Sequence, residues 1–230
     1  MLTRQEARDF YDRYGDKNER PKFYERKAIK RLIEHADFET AESVVDFGCG
    51  AGRLADRLMN DVLPNNATYA GFDLSDTMVQ LTRKRLVKFG SRVSVTRTDG
   101  RPRIPMPPES CDRFVSTYVL DLLSTPDISR VLEQAWKVLR PDGTLCVTCL
   151  TYGSGPMARF INASWLAVHS LRPSVVRGAR PISLADYMGP ASWKILHSSI
   201  VSSWGVPSQV LVARPRAHSQ GDPGAKRLQR

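Results

Sequence analysis

Two hydrophobic periods alternate along the chain between residues 43 and 150. Short, nearly continuous apolar runs predict buried strands, whereas apolar positions that recur every third or fourth residue predict helices. The predicted strands are Ser43–Phe47, Thr68–Phe72, Arg92–Thr96, Arg113–Thr117 and Thr144–Leu150, and the predicted helices between them are Gly52–Val62, Asp76–Phe89 and Ile128–Leu139. Because helical crossovers separate the strands, this segment should form a parallel sheet with helices on both faces.

The two ends of the chain follow other patterns. Apolar residues at helical spacing predict two N-terminal helices, Thr3–Tyr14 and Lys22–His35. Near the C-terminus, strand-like runs at Trp193–Ser203 and Ser208–Ala213 flank the turn Gly205-Val206-Pro207. These runs predict a β-hairpin.

The predicted elements divide the chain into three parts. Residues 1–40 form a helical cap, residues 41–213 form the main domain, and residues 214–230 form a basic tail that should be disordered. Within the main domain, a helical insert at about residues 152–192 has apolar side chains at helical spacing from Met157 to Leu171. This apolar face could line a pocket or join the core.

The composition indicates the cellular compartment in which the protein is expected. The chain of 230 residues has no apolar run of about 18 residues and no apolar signal core at its N-terminus, so we expect a cytoplasmic protein without a transmembrane helix. Its four cysteines should be reduced thiols, and Cys146 and Cys149 would point to opposite faces of one strand, so no metal site is expected. The net charge of +10 leaves peripheral contact with an anionic membrane open.

A glycine-rich turn follows the first predicted strand. Glycines at positions 48, 50 and 52 leave the backbone N–H groups accessible to a ligand. In dinucleotide-binding folds the third glycine comes one residue later, where this chain has Arg53. Asp46 before the turn would repel a phosphate, and its carboxylate suits a cationic ligand instead.

A second acidic residue ends the second predicted strand. In Gly71-Phe72-Asp73-Leu74-Ser75 the carboxylate of Asp73 can accept hydrogen bonds from both ribose hydroxyls of an adenosine. NAD enzymes use the same device, so Asp73 indicates an adenosine without identifying the cofactor. The alternative is that Asp73 caps the following helix, a role for which Ser75 competes.

Two further motifs follow the third and fourth predicted strands. The first is Thr98-Asp99-Gly100, and the second is Ser110-Cys111-Asp112-Arg113-Phe114-Val115-Ser116-Thr117-Tyr118-Val119-Leu120. In this order the four motifs resemble those of class I S-adenosylmethionine-dependent methyltransferases. They are most similar to the small-molecule branch that includes the ubiquinone/menaquinone-biosynthesis methyltransferases.

The resemblance implies both a fold and a cofactor site. The fold is α/β: a Rossmann-like, doubly wound, mostly parallel seven-stranded sheet with an antiparallel C-terminal hairpin strand. The cofactor is S-adenosyl-L-methionine, and the N-terminal helix would fold over it as a lid. The implied cofactor-binding residues are Asp46, Gly48, Cys49, Gly50, Gly52, Asp73, Leu74, Asp99, Gly100, Thr117 and Tyr14.

The acceptor side is less well defined by the sequence. Tyr118 and Asp121 follow the fourth strand and could orient or deprotonate an acceptor, although Asp121 could equally be an exposed carboxylate at a helix start. His169 borders the apolar face of the insert and could be catalytic or a surface histidine. A small, lipophilic or aromatic methyl acceptor would suit the aromatic residues of the insert.

Other functions remain to be weighed. A basic chain could methylate nucleic acid, but the D/N-P-P-Y/F signature of amino-methylating DNA enzymes is replaced here by Ser116-Thr117-Tyr118-Val119, so a nucleic-acid partner is not expected. An NAD(P) oxidoreductase is disfavoured by Asp46 and Arg53. A catalytically silent protein that binds S-adenosylmethionine as a partner subunit stays open.

Overall fold

A computed structural model describes residues 2–14, 24–153 and 178–216. The α-helices in these ranges are α1 Arg4–Tyr14, α2 Glu25–His35, α3 Arg53–Asp61, α4 Asp76–Leu86 and α5 Thr125–Val138. The strands are β1 Ser43–Phe47, β2 Thr68–Asp73, β3 Val93–Arg97, β4 Cys111–Thr117, β5 Leu139–Leu150, β6 Trp193–Ser203 and β7 Val206–Pro215. Short 3₁₀ helices occur at Phe38–Thr40, Val87–Arg92, Leu120–Leu122 and Leu184–Tyr187.

The strands form one sheet in the order β3-β2-β1-β4-β5-β7-β6. Strands β1 to β5 pair in parallel, and β7 is antiparallel to both β5 and β6. The predicted α/β fold, with a mostly parallel seven-stranded sheet and an antiparallel C-terminal hairpin, is therefore confirmed. The strand order reverses between β1 and β4, and a crevice beyond the carboxyl ends of the strands at such a point is where open α/β sheets bind ligands.

The hairpin turn lies at this same edge of the sheet. Leu150, the last residue of β5, pairs with Ser208 near the start of β7. The turn between β6 and β7 is thus close to the carboxyl end of β5, on the side where β1, β2 and β4 also end.

Apolar side chains cover both faces of the sheet. One face carries α2, α3 and α4, with Leu32 and Leu58 fully buried, and the other carries α5, with Ile128 fully buried. Cys146 belongs to the first cluster and Cys149 to the second. The two thiols therefore lie on opposite faces, as predicted, and no group of three or more metal-ligating side chains occurs among the described residues.

Several element boundaries differ from the prediction, and three of the differences have a visible structural basis. Strand β5 begins at Leu139, because Cys111 of β4 pairs with Leu139 across an irregularity in register. Helix α4 ends at Leu86 and continues as a 3₁₀ helix in which Gly90 has non-helical angles. Strand β7 extends to Pro215, which pairs with Trp193, so the prediction of a disordered tail from residue 214 is wrong for the residues that complete β7.

Part of the predicted insert is not described. Its predicted helix from Met157 to Leu171, which includes His169, lies outside the described residues, and so do residues 217–230. Among the residues that are described, we found no helix whose length and hydropathy would let it span a membrane.

Candidate active site

The turn between β1 and α3 exposes its backbone at the edge of the sheet. The N–H groups of Gly48 and Cys49 donate to the carbonyl oxygen of Phe72 at 2.7 and 3.1 Å, which ties the turn to β2. Gly50 has a φ of +55°, and a Cβ placed on it would meet no atom within 4 Å. Gly50 lines a cavity of about 520 Å³, so the space that a side chain would occupy is open to a ligand.

Asp73 lies at the end of β2 beside this turn. Its Oδ2 accepts a hydrogen bond from the Gly50 N–H at 2.8 Å, and its Oδ1 accepts one from the Ser75 N–H at 2.9 Å. Ser75 caps α4, because its Oγ accepts a hydrogen bond from the Met78 N–H. Each Asp73 oxygen keeps a second lone pair for a ligand. Burial raises the pKa of Asp73, against the backbone hydrogen bonds from Ser75 and Gly50, which lower it.

Gly52 has a packing role. Its φ is +72°, and a Cβ there would come within 2.7 Å of the Thr82 Cγ2 atom. Thr82 also donates its hydroxyl to the Gly50 carbonyl oxygen at 2.6 Å, which holds α4 against the turn. Gly52 does not line the cavity, and its close contact with Thr82 shows that this glycine allows the start of α3 to approach α4.

Asp46 lies in β1 behind the turn and is 2% exposed. Its Oδ2 accepts a hydrogen bond from the Tyr69 hydroxyl at 2.7 Å, and among the described residues its Oδ1 has no hydrogen-bond partner. Burial raises the pKa of Asp46 to about 7, although the hydrogen bond from Tyr69 opposes the increase. Asp46 does not line the cavity, so the predicted direct contact with a cationic ligand is not present in this geometry.

The loop after β3 divides into a part that lines the cavity and a part that faces solvent. Thr98 and Gly100 line the cavity, and a Cβ on Gly100 would come within 2.8 Å of the Leu74 side chain. The Asp99 side chain is 64% exposed and lies 3.5 Å from Arg101. The structure thus places Asp99 outside the cavity lining, contrary to the prediction that it contacts the cofactor.

The segment after β4 buries its polar side chains. Thr117 and Tyr118 line the cavity as expected, but the Tyr118 hydroxyl donates to the Ser208 Oγ at 2.9 Å, and burial raises the pKa of this phenol. Asp121 is 1% exposed, and its Oδ2 accepts a hydrogen bond from the Leu150 N–H at 3.3 Å. Asp121 is neither an exposed helix-start carboxylate nor a cavity residue, so its predicted contact with an acceptor is corrected to a structural contact with β5.

Helix α1 covers the cavity and is fixed at both ends. Asp12 accepts hydrogen bonds from the Ser75 hydroxyl and, at 3.2 Å, from the Thr77 N–H at the start of α4. At its other end, the Arg4 guanidinium lies 3.2 Å from the Asp127 carboxylate of α5. No spacing in the sequence indicates these contacts, because Asp12 and Ser75 are 63 residues apart and Arg4 and Asp127 are 123 residues apart.

The cavity brings most of the predicted cofactor-binding residues together. The predicted cofactor-binding residues that line it are Gly48, Cys49, Gly50, Asp73, Leu74, Gly100 and Thr117, and the candidate catalytic residue Tyr118 lines it as well. Residues that the sequence did not single out complete the lining, among them Phe47, Leu54, Met78, Val119, Leu122 and Leu123, together with Leu2, Arg4, Ala7, Glu25 and Ile29 of the N-terminal segment. Tyr11 also lines the cavity; Tyr14 is the last residue of α1, and its side chain is not described.

This combination of fold and site defines a class. A seven-stranded sheet in this strand order carries a glycine turn after β1, an acidic residue at the end of β2, and a cavity at the point where the strand order reverses. These are the features of the class I methyltransferase fold that the four sequence motifs resemble.

Comparison with known proteins finds similarity to methyltransferases. Residues 44–143 match the family model described as a methyltransferase domain. The chain is 29% identical over 123 residues, 53% of its length, to Methyltransferase GfsG of Streptomyces halstedii, and 24% identical over 149 residues, 64% of its length, to a demethylmenaquinone methyltransferase of Lactobacillus johnsonii. The aligned segments span only 42% and 59% of these relatives' own lengths.

Solved structures confirm the fold. The [4+2]-cyclase SpnF superposes with a TM-score of 0.72 at 16% identity, covering 94% of this chain and 98% of the cyclase. Magnesium protoporphyrin IX methyltransferase from Synechocystis PCC 6803, solved with bound SAH, superposes with a TM-score of 0.66 at 17% identity, covering 94% of this chain and all of the other. These similarities confirm the fold that the motifs predicted, and the match to the methyltransferase domain model runs from β1 into β5.

Proposed function

We propose that this chain binds S-adenosyl-L-methionine and transfers its methyl group to a small, lipophilic or aromatic molecule. The observation that carries this proposal is the pairing of Gly50 and Asp73. Gly50 presents bare backbone to the cavity, and the Asp73 carboxylate lies beside it at a hydrogen-bonding distance of 2.8 Å from the Gly50 N–H. A backbone surface next to a carboxylate suits an adenosine better than a pyrophosphate.

The residues present fit this cofactor. Asp73 would accept hydrogen bonds from the ribose hydroxyls, and Gly48 and Gly50 would lie against the methionine part. The Asp46 Oδ1 atom is buried and without a partner among the described residues, and ionisation of this carboxyl, as a cation would favour, would place negative charge behind the turn. When bound, S-adenosylmethionine supplies a methyl group that its sulfonium already activates.

The rest of the cavity suits an apolar acceptor. Apolar side chains from α2 and from the segment after β4 line it, including Ile29, Val119, Leu122 and Leu123. A volume of about 520 Å³ lies within the range of about 300–1,000 Å³ that is common for small-molecule sites. The demethylmenaquinone methyltransferase relative is named for a quinone, which supports an acceptor of this kind.

The proposed role of the chain is to align the reactants and exclude water. Methyl transfer needs an in-line approach, so orientation supplies much of the rate enhancement, and a base is needed only when the acceptor must lose a proton. Helix α1, fixed by Asp12 and Arg4, would keep water out of the cavity. The Tyr118 phenol is a weak candidate for the base, because burial raises its pKa and its hydroxyl is bonded to Ser208.

One alternative has support from the comparisons. A structure with this fold is named as a [4+2]-cyclase, so cofactor binding without methyl transfer is the second candidate function. Formation of S-adenosylhomocysteine in the presence of candidate acceptors distinguishes the two: a methyltransferase produces it, and a protein that only binds the cofactor does not.

Calorimetry tests the cofactor assignment. The full chain should bind S-adenosylmethionine and not NADH; binding of NADH alone would refute the proposal. Asp73→Ala should weaken binding of S-adenosylmethionine by about 1.5–3 kcal/mol, the scale of hydrogen bonds to a charged group. Asp99→Ala is the matched control, because it removes an exposed carboxylate from the neighbouring loop and should change the affinity by less than about 0.5 kcal/mol. Equal losses in both variants would show that Asp73 has no specific contact.

A further inference from the structure

The tip of the β6–β7 hairpin presents a tryptophan to solvent. Trp204 is 88% exposed, and it forms the turn together with Gly205. Both residues have positive φ, +52° and +78°, the geometry of a type I′ turn that favours Asn-Gly. A bulky residue is strained in this region, so neither turn geometry nor core packing explains why a tryptophan is at this position.

The part of the hairpin nearest to Trp204 has no acidic or basic side chain other than His197. From Ile195 to Ala213 the chain contains no Asp, Glu, Lys or Arg. Ile200 on β6 is also 54% exposed. Moving this tip out of water would therefore desolvate apolar groups and the turn backbone without burying a charge.

Helix α2 lies beside this hairpin and begins next to its tip. The Lys27 Nζ atom lies 3.5 Å from the Ser202 carbonyl oxygen, two residues before Trp204. At the other end of α2, the His35 ring stacks on His197 with 3.6 Å between ring centroids. The first turn of α2 is thus close to Trp204, and its last turn is farther along β6.

The exposed surface of α2 is cationic. Arg26, Lys27, Lys30 and Arg31 are all exposed, and the last two lie within 3.8 Å of Glu34. Arg26 and Lys27 stand in the first turn, where the helix dipole favours acidic side chains. Their positions are therefore not explained by the stability of the helix.

We propose that the hairpin tip and the first turn of α2 dock this protein on an anionic lipid bilayer. Tryptophan side chains favour the boundary between headgroups and acyl chains, and cations near an anionic leaflet are attracted to it. A second copy of the chain would bring like charges on α2 together, so the charges favour an anionic partner. The uncharged tip distinguishes a bilayer from a nucleic acid, whose phosphates would call for cations at the tip itself.

Co-sedimentation with vesicles tests this docking on the full chain. The protein should bind vesicles made of equal parts phosphatidylcholine and phosphatidylglycerol, and bind pure phosphatidylcholine vesicles much more weakly. Trp204→Asn should weaken binding to the anionic vesicles by about tenfold or more, because it removes the apolar anchor. Arg26→Gln with Lys27→Gln should also weaken it by roughly tenfold or more, the scale expected from two interfacial cations.

Two controls keep the result specific. Asn suits a positive φ in this turn, so Trp204→Asn should melt at the same temperature as the wild type or higher, which separates lost docking from lost folding. Lys88→Gln with Arg92→Gln removes two charges near β3, at the opposite edge of the sheet, and should leave vesicle binding unchanged. The proposal is overturned if Trp204→Asn binds like the wild type, if the distant charge variant loses as much binding, or if Trp204 drives self-association without vesicle binding.

Discussion

Strands β1 and β4 end at the same edge of the sheet, and each is followed by at least one residue with positive φ, but these residues have different roles. After β1, Gly48 and Gly50 have φ of +81° and +55° and present backbone to the cavity. After β4, Tyr118 has a φ of +56°, and its hydroxyl is directed to Ser208 on β7 at 2.9 Å. The first ending offers a binding surface to a ligand, and the second joins two strands of the sheet.

The two endings differ in what their nearby carboxylates face. Beside the β1 ending, the Asp73 carboxylate lines the cavity together with the backbone of the glycine turn. Beyond the β4 ending, the Asp121 carboxylate is buried against the Leu150 N–H. The polar groups available to a ligand are thus concentrated on the β1–β2 side, whereas the β4 side lines the cavity with apolar side chains such as Val119 and Leu122.

The largest expected effect comes from filling the open space at the β1 ending. Gly50→Val should abolish detectable binding of S-adenosylmethionine, because the side chain would occupy the space over the turn. The fold should survive, since the built Cβ meets no atom within 4 Å and the left-handed backbone adds only about 1–2 kcal/mol. Calorimetry for binding and circular dichroism for folding measure the two effects separately.

Gly90 provides a matched control for this variant. It has a φ of +58° with a ψ of −131°, which makes a side chain at least as strained as in the glycine turn, a Cβ on it would also meet no atom within 4 Å, and it lies outside the cavity lining. Gly90→Val should therefore cost stability and leave the affinity for the cofactor unchanged. Normal cofactor binding by Gly50→Val would show that the glycine turn is not the cofactor surface.

The second-largest expected effect is the pH dependence of stability that comes from Asp46, the buried carboxyl group behind the glycine turn. Because burial raises the pKa of Asp46 to about 7, the folded state holds a proton there that the unfolded state releases near pH 4. The contribution of Asp46 to the free energy of unfolding is fully present below about pH 4, and it is lost as the pH rises from about 4 to about 7. Between about pH 5 and pH 7, Asp46 should lower the free energy of unfolding by roughly 2 kcal/mol.

Urea unfolding of Asp46→Asn at both pH values measures this contribution. Asn keeps the shape of the side chain and cannot titrate, so the variant should lose less stability than the wild type over this interval. Asp76→Asn is the control, because it removes a carboxylate whose side chain is 52% exposed, and it should follow the wild type. A pH dependence of Asp46→Asn identical to that of the wild type would place the titration elsewhere.

Short-range spacing allowed much of the β1 side to be predicted. The turn at 48–52, the acid at 73 and the strand that precedes each are local patterns, and parallel pairing then brings them together without further information. The hydrophobic periods likewise predicted the strands of the sheet and the hairpin. Local spacing could not show that the three glycines of the turn have different roles. Only the close approach of Thr82 on α4 reveals that Gly52 has a packing role.

The β4 side could not be predicted for a physical reason. Tyr118 and Asp121 follow a strand whose end faces the cavity, so each had a plausible role there. Their actual partners, Ser208 and Leu150, lie 90 and 29 residues away in sequence. Whether a polar side chain faces a ligand or a distant backbone depends on packing that no nearby residue encodes, and the contacts that fix α1 were missed for the same reason.

The smallest effect tests whether the β4 ending is structural. Tyr118→Phe and Ser208→Ala should each cost about 1 kcal/mol of stability, the usual net value of one hydrogen bond. The double variant should cost less than the sum, because the two changes remove the same bond. As a control, Tyr118→Phe is combined with Thr125→Ala, which removes a hydroxyl that lies 3.3 Å from that of Tyr187. The loss of stability in this double variant should equal the sum of the two single losses. If the stability losses of Tyr118→Phe and Ser208→Ala also add up in their double variant, the two hydroxyls do not stabilise each other. The Tyr118 phenol would then again be a candidate for contact with the acceptor.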